Sequence, residues 1–115
     1  MTALDAIRWV DEKKHNVCCL EDKLRWLNQV EKMAAQLRAR CGLEQEDMEV
    51  GPETVLTMEA PFDALYFRFL EAQIDYTNQE YLKYNNAMSL FTALWQEYAN
   101  SLRRCSGAVG RRNFF

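Results

Sequence analysis

The side chains best suited to metal or covalent chemistry in this sequence are one histidine and four cysteines. His15 lies three residues before Cys18, a spacing that could place both side chains on one metal ion. A four-ligand set would also need Cys41 or Cys105, and that spacing is not the spacing of known zinc modules. Cys19 adds little, because two adjacent cysteines do not comfortably chelate the same ion. We therefore expect reduced, partly buried thiols, no bound metal and no cofactor.

Residues that could act as catalytic acids, bases or nucleophiles are equally sparse. A Ser–His or Cys–His pair would have to use His15, because the sequence has no second histidine. The sequence also has no glycine-rich phosphate-binding loop. Glu71 and Asp75 have an i,i+4 spacing that is common on solvated helix faces, and general acid–base catalysis would need burial to shift a pKa. We therefore expect no enzymatic activity.

Composition bounds the class of protein further. A chain of 115 residues, 49% of them apolar, can build one small core, and 4 glycines and 2 prolines argue against a turn-rich β-sandwich. The formal charge of −3 gives no general attraction to nucleic acid or to membranes. Apolar runs are too short for a transmembrane helix, and charged residues interrupt the first twenty positions. We expect no signal peptide, folding in the cytoplasm, no membrane binding and no specific nucleic-acid binding.

Apolar residues recur at helical spacing in four stretches, which predicts an all-α fold. We expect one helical domain over residues 1–105, a small bundle of three to four helices. Thr2 is the expected N-cap of the first helix, Gly42 the expected stop of the second, and Pro61 suits the first position of the third. The predicted helices cover residues 2–14, 20–40, 61–76 and 78–104.

The sequence leaves open whether residues 61–105 form one long C-terminal helix or a helix pair. A single helix would be about 65 Å long, which exceeds the width of a small domain. Such a helix would project from the domain and would need other subunits to cover it. Thr77 and Glu80 match a capping box with Thr77 as the N-cap. This pattern favours a break between residues 75 and 79.

Two segments fall outside the helical pattern. Residues 43–60 predict a loop, either a solvated connector or a functional or mobile segment, in which Val50 and Val55-Leu56 make brief extended contacts. Residues 106–115 predict a basic-aromatic tail, because two glycines disfavour the helix there. The loop carries the acidic residues Glu44, Glu46, Asp47 and Glu49, whereas the tail carries Arg111, Arg112, Phe114 and Phe115.

The stretch from Tyr81 to Leu102 carries large apolar side chains at alternating steps of three and four residues. One face of this helix must be buried, and the face of a core helix is the simplest explanation. Part of this face could instead contact a partner, because Trp, Tyr and Met are enriched in interface cores. Trp26 and Met33 lie off the apolar stripe of the second helix and could cover a second copy. The candidate interface residues are Trp26, Met33, Trp95, Tyr98, Arg103, Arg104, Arg111, Arg112, Phe114 and Phe115.

Several runs of this sequence resemble a family of small proteins encoded in phages and prophages of gut Firmicutes, near portal and capsid genes. The similarity spans nearly the whole chain and is weakest in residues 43–59. Relatives tend to have glycine after the position of Asn78, where this chain has Gln79. The similar runs are Ala60–Tyr66, Leu70–Tyr76 and Lys83–Ala87, with Asn78 and Glu80 between them, and also Ala6–Arg8, Val10-Asp11, Lys23–Leu27 and Arg112–Phe115.

Members of this family look like head–tail connector (adaptor) proteins of long-tailed phages. The resemblance implies a small helical bundle that docks on the portal and forms a ring of about twelve copies, closed by heterologous contacts. It implies portal and tail or stopper proteins as partners, a monomer or dimer in isolation, and a location in the host cytoplasm and then in the virion. From charge alone, the acidic loop could meet the basic tail of a neighbouring copy.

A different class of function remains as the alternative. A small phage or prophage regulator would bind a host protein through the same aromatic helix face. The oligomeric state in the presence of portal separates the two, because a connector co-assembles with portal and a regulator does not.

Overall fold

The computed structural model describes residues 1–43 and 49–110, with side chains as far as residue 104. It has four helices and, over these ranges, no strand, which confirms the all-α prediction. None of the helices described is long and apolar enough to cross a membrane. The helices are α1 (Ala3–Lys13), α2 (Leu20–Arg40), α3 (Ala64–Thr77) and α4 (Tyr81–Gly110).

Helix α1 begins with the cap that the sequence predicts. The Thr2 hydroxyl accepts a hydrogen bond from the Asp5 amide at 3.2 Å, and the Asp5 carboxylate accepts one from the Thr2 amide at 3.1 Å. These hydrogen bonds to Thr2 hold the pKa of Asp5 below its usual value. The reciprocal pair is a capping box, which satisfies amide groups that the helix itself leaves without partners.

Residues 50–60 form a strap, the first part of which crosses the start of α1. Val55 makes an isolated antiparallel bridge with Thr2, which is the brief extended contact expected of Val55-Leu56. Carbonyl groups of the strap also accept hydrogen bonds from the first amides of α1. For example, the Ala3 amide donates to the Thr54 carbonyl at 2.9 Å. Leu56 and Met58 are both buried, so this part of the predicted loop is packed rather than solvated. Residues 44–48, which carry most of the acidic patch, lie outside the described residues.

Helices α2 and α3 end in the same way, each with one residue in the left-handed region. Gly42 (φ 79°) follows α2, and the Leu43 amide donates to the Arg38 carbonyl at 2.9 Å. Gln79 (φ 61°) follows α3, and the Glu80 amide donates to the Asp75 carbonyl at 2.8 Å. Both are Schellman motifs, in which the left-handed residue turns the chain back onto the last helical carbonyls. The break between the last two helices is therefore confirmed.

The predicted capping box at this break is wrong. Thr77 is the last residue of α3, and its hydroxyl donates to the Gln73 carbonyl at 2.9 Å. Helix α4 begins at Tyr81, and the Tyr84 amide donates to the Glu80 carbonyl at 3.0 Å. The Schellman turn needs Gln79 and Glu80 for its own hydrogen bonds, so Thr77 remains in the preceding helix.

Two other helix boundaries differ from the predicted ones. Helix α3 begins at Ala64 and not at Pro61, because residues 59–66 form i→i+3 turns, with Leu65 donating to the Phe62 carbonyl at 3.0 Å. Helix α4 continues to Gly110, beyond the predicted end at residue 104. Extending an existing helix is much easier than nucleating one, so Gly107 does not end it. Residues 111–115 of the predicted tail lie outside the described residues.

Helix α3 is the centre of the bundle, because it contacts each of the other three helices, and α4 packs chiefly along it. Two ion pairs tie α1 to its neighbours. Lys14 donates to Asp75 of α3 at 2.6 Å, and Lys23 of α2 donates to Asp11 at 2.9 Å. Asp75 is only 1% exposed, so its expected place on a solvated face is wrong. The core consists mainly of Ile7, Val10, Leu27, Val30, Leu65, Tyr66, Leu70, Ile74 and Phe91.

Candidate functional site

A buried polar cluster joins α2, α3 and the strap. The Glu31 carboxylate, 3% exposed, accepts hydrogen bonds from the Tyr66 hydroxyl and, at 3.0 and 3.1 Å, from the hydroxyl and amide of Thr57. The Met58 amide donates to the Tyr66 hydroxyl at 2.9 Å. Burial, and then the hydrogen bond to Glu31, raise the pKa of the Tyr66 hydroxyl far above its usual value. We name this group the Glu31–Tyr66 clamp.

The hydrogen bonds of the clamp join α2, α3 and the strap to one another. Within the described residues, every deeply buried side-chain nitrogen or oxygen has a hydrogen-bond partner. Sequence reasoning missed the clamp, although a signal for it exists. Glu31 lies four residues after Leu27 and three before Ala34, and therefore on the apolar stripe of α2, where a carboxylate needs buried donors.

The clamp places one wall of a surface cleft of about 360 Å³. Its lining comprises strap residues 57–60, Arg38 near the end of α2, Phe62, and Tyr98 of α4. Nη1 of Arg38 donates to the Tyr98 hydroxyl at 2.9 Å, and the Phe62 and Tyr98 rings are 5.1 Å apart. We call this feature the Arg38–Tyr98 cleft.

The second surface feature is an exposed side of α4. A shallow, open groove runs along it, lined by six residues of this helix. Five of these side chains are exposed, small or polar, and only Met88 is half-buried. We call this surface the α4 outer face. Its residues are Asn85, Met88, Ser89, Thr92, Ala93 and Gln96.

Aromatic side chains are exposed in two further places that the sequence prediction did not include as interface residues. Trp9 stacks on Phe67 with ring centroids 4.1 Å apart, and the Lys13 ammonium lies 4.6 Å from the Trp9 ring. At the turn between α3 and α4, the Tyr76 ring packs against Tyr81 and Tyr84 at 5.6 and 5.2 Å, and about half of Tyr76 and of Tyr81 is exposed. The period of the helices could not reveal these clusters, because each joins two helices.

The predicted interface residues are divided between core and surface. Trp26 is 9% exposed and belongs to the chain's own core, so its predicted role in covering a second copy is wrong. The reason is that α2 packs against both α1 and α3, which widens its buried arc beyond one stripe. Tyr98 is also buried, with its hydroxyl bonded to Arg38, and Trp95 is half-buried between Phe91 and Tyr98.

The remaining predicted residues lie apart from this cluster. Met33 is exposed on α2, and Arg103 and Arg104 are exposed near the end of α4. Arg103 donates to the Asn100 side chain at 3.1 Å. The other four predicted residues lie outside the described part of the chain: Arg111, Arg112, Phe114 and Phe115.

The histidine and cysteines considered for metal binding do not form a cluster where the structure describes them. His15 and Cys19 are exposed, and Cys18 is half-buried. Over residues 1–43 and 49–104, no group of three or more histidine, cysteine, aspartate or glutamate side chains is placed to hold a metal ion.

Comparison of the chain with protein-family models, with curated proteins and with solved structures gives no match. The surfaces described above are thus the basis for a functional proposal, together with the resemblance in the sequence.

Proposed function

We propose that this protein is a structural, non-enzymatic component of a phage particle, a head–tail connector that docks on the portal and assembles into a ring. The observation that carries the proposal is the uncovered α4 outer face. A fourth helix of 30 residues is about 45 Å long, whereas α3, along which it packs, has 14 residues and is about 21 Å long. Much of α4 is therefore available to a partner.

The chemistry of the outer face suits a second helix more than a small molecule. Small side chains such as Ser89 and Ala93 let another backbone approach closely, and Asn85 and Gln96 offer hydrogen bonds at either end of the groove. The face holds no charged residue among those that line it, and charged residues are depleted in interface cores. The tyrosine cluster next to it adds rigid aromatic area of the kind found at binding hot spots.

A ring needs two different surfaces on each copy, because identical chains then contact one another head to tail and close by rotation. The α4 outer face supplies one such surface. In this proposal the protein is in the host-cell cytoplasm during assembly and then in the virion, with portal and tail or stopper proteins as partners.

The test is electron microscopy of the purified chain mixed with the portal protein encoded beside it. We expect rings of the chain stacked on the portal, and Ala93→Arg in the outer face should abolish them. Ala39→Arg, at an exposed position of α2 outside both surfaces, is the matched control and should leave the rings intact. A chain that stays monomeric or dimeric and ignores portal would overturn the connector proposal.

The second candidate is a phage or prophage regulator that binds one host protein. The exposed Trp9–Phe67 stack with Lys13 above it favours this class, since such a pair offers a ready-made site for an aromatic or acidic side chain. Under this alternative, Trp9→Ala would abolish binding of the host protein, and Ala93→Arg would have no effect on it.

A further inference from the structure

The Arg38–Tyr98 cleft combines three kinds of chemistry within a small volume. Phe62 and Tyr98 present aromatic rings, and Met58 and Ala60 add apolar surface. The Arg38 guanidinium donates through Nη1 to the Tyr98 hydroxyl and is partly exposed, and a planar guanidinium can also stack on an aromatic ring. A carboxylate is present at the rim, because Glu59 lines the cleft and is exposed.

The two charged side chains of the cleft, Arg38 and Glu59, form no ion pair with any other described residue. An aromatic ring placed over the guanidinium of Arg38 would gain a cation–π contact, and a cation beside Glu59 would gain an ion pair. The complementary occupant is therefore a short peptide in which basic and aromatic side chains lie close together.

Residues 111–115 have this composition. They read Arg-Arg-Asn-Phe-Phe, with two cations close to two aromatic rings. The cations of this segment can pair with Glu59 at the rim, and its aromatic side chains can pack against Phe62 and Tyr98.

We propose that the Arg38–Tyr98 cleft is the docking site for residues 111–115 of a neighbouring copy of the same chain. Chain length argues for a neighbour. Gly110 is twelve residues after Tyr98 on the same helix, or about 18 Å along its axis. Phe115 is five residues further, and five extended residues span at most about 18 Å. The tail would reach the level of its own Tyr98 only if it turned straight back and were fully extended, with no residue left to form the turn.

This inference rests on the proposed function, because it names a pair of surfaces, the cleft and the tail, through which copies in a head-to-tail ring would contact one another. The cleft and the tail are different parts of the chain, so a tail-in-cleft contact is heterologous and can be repeated around a ring. The docking would leave the α4 outer face free for portal or for a second contact between copies.

The experiment is a fluorescence-anisotropy titration of the full chain against a labelled peptide of residues 106–115. Glu59→Arg reverses the rim charge and should weaken peptide binding by at least about fivefold at low salt. Glu53→Arg is the matched control, because Glu53 is exposed on the same strap but does not line the cleft, and it should bind the peptide as the native chain does. Ala60→Trp, which fills the cleft, should also abolish binding.

A charge exchange makes the test specific. A peptide with Arg111→Glu and Arg112→Glu should bind poorly to the native chain and recover binding to the Glu59→Arg variant. A scrambled peptide of the same composition should bind at least about fivefold more weakly than the native one. Equal binding of the native and scrambled peptides, or unchanged binding to Glu59→Arg and Ala60→Trp, would overturn the proposal. Thermal unfolding of each variant shows whether a loss comes from misfolding.

The two proposals can fail separately. Peptide binding with a working charge exchange, in a chain that never forms rings on portal, would leave the cleft assignment standing and remove the connector proposal. If the peptide does not bind, but the native chain and Glu59→Arg form rings on portal equally well, the cleft assignment is wrong and the connector proposal stands.

Discussion

The Tyr66 hydroxyl on α3 donates a hydrogen bond to the Glu31 carboxylate on α2, and both groups are buried. The same two side chains bind the strap through Thr57 and Met58. Because strap residues 57–60 line the Arg38–Tyr98 cleft, the clamp links the stability of the core to the shape of the cleft.

Removing the Tyr66 hydroxyl should destabilise the protein by about 1–3 kcal/mol, because Tyr66→Phe leaves one oxygen of Glu31 with a donor fewer and the Met58 amide without an acceptor. Urea unfolding followed by circular dichroism measures the loss. Tyr76→Phe is the matched control, and it should change stability by less than about 0.5 kcal/mol because Tyr76 is largely exposed. Equal effects of the two substitutions would contradict the structural role of the clamp.

Alkaline pH should weaken the native chain more than the Tyr66→Phe variant. Burial and the Glu31 hydrogen bond raise the folded-state pKa of Tyr66 above the unfolded value of about 10. A raised pKa means that the stabilisation is fully present below the unfolded pKa and is lost as pH rises beyond it. We expect the difference in unfolding free energy between native and variant to shrink above about pH 10, as measured by urea titrations at increasing pH. A difference that stays constant over that range would refute the expectation.

Gln79→Gly should stabilise the turn between α3 and α4. Gln79 has φ 61°, and this left-handed conformation strains a residue with a Cβ by about 1–2 kcal/mol. Glycine removes that strain but loses more backbone entropy on folding, so we expect a net gain of up to about 1 kcal/mol. Gln96→Gly, the same substitution inside α4, should instead destabilise by up to about 1 kcal/mol. Thermal unfolding of both variants checks the opposite signs.

Lys14→Ala should cost about 1–3 kcal/mol, because Asp75 is nearly inaccessible to water and would lose its only cation in the described structure. This loss of stability is smaller than that expected for a fully buried ion pair, because Lys14 is partly exposed. Lys83→Ala removes the lysine of an exposed pair with Glu80 and should cost less than about 1 kcal/mol. Denaturant unfolding at low and high salt compares them, and similar losses would show that burial of Asp75 has no special importance.

The helices were predictable because their signals are local. The spacing of Ala3, Ala6, Ile7 and Val10 reports one buried face of α1 from within a few turns of the chain. Thr2 and Gly42 lie at helix ends where their side chain or their φ satisfies backbone groups nearby. The boundary at Thr77 was less predictable, since a capping box and a Schellman turn competed for the same few residues.

The cleft and the clamp could not be predicted in this way. Glu31 and Tyr66 are 35 residues apart, and Arg38 and Tyr98 are 60 residues apart. No local periodicity connects such residues, and Trp26 shows the same limit, because its burial depends on α2 having two neighbours.

The sequence by itself therefore determined the fold class, the approximate helices and most of the apolar faces, because hydrophobic spacing and capping act over one or two turns. Only the tertiary structure decided which of those faces remain uncovered, which carboxylates are buried, and where Arg38, Glu59 and Tyr98 form a cleft. The physical reason is that burial is a property of packed elements, and packing joins residues whose separation along the chain carries no information about their contact.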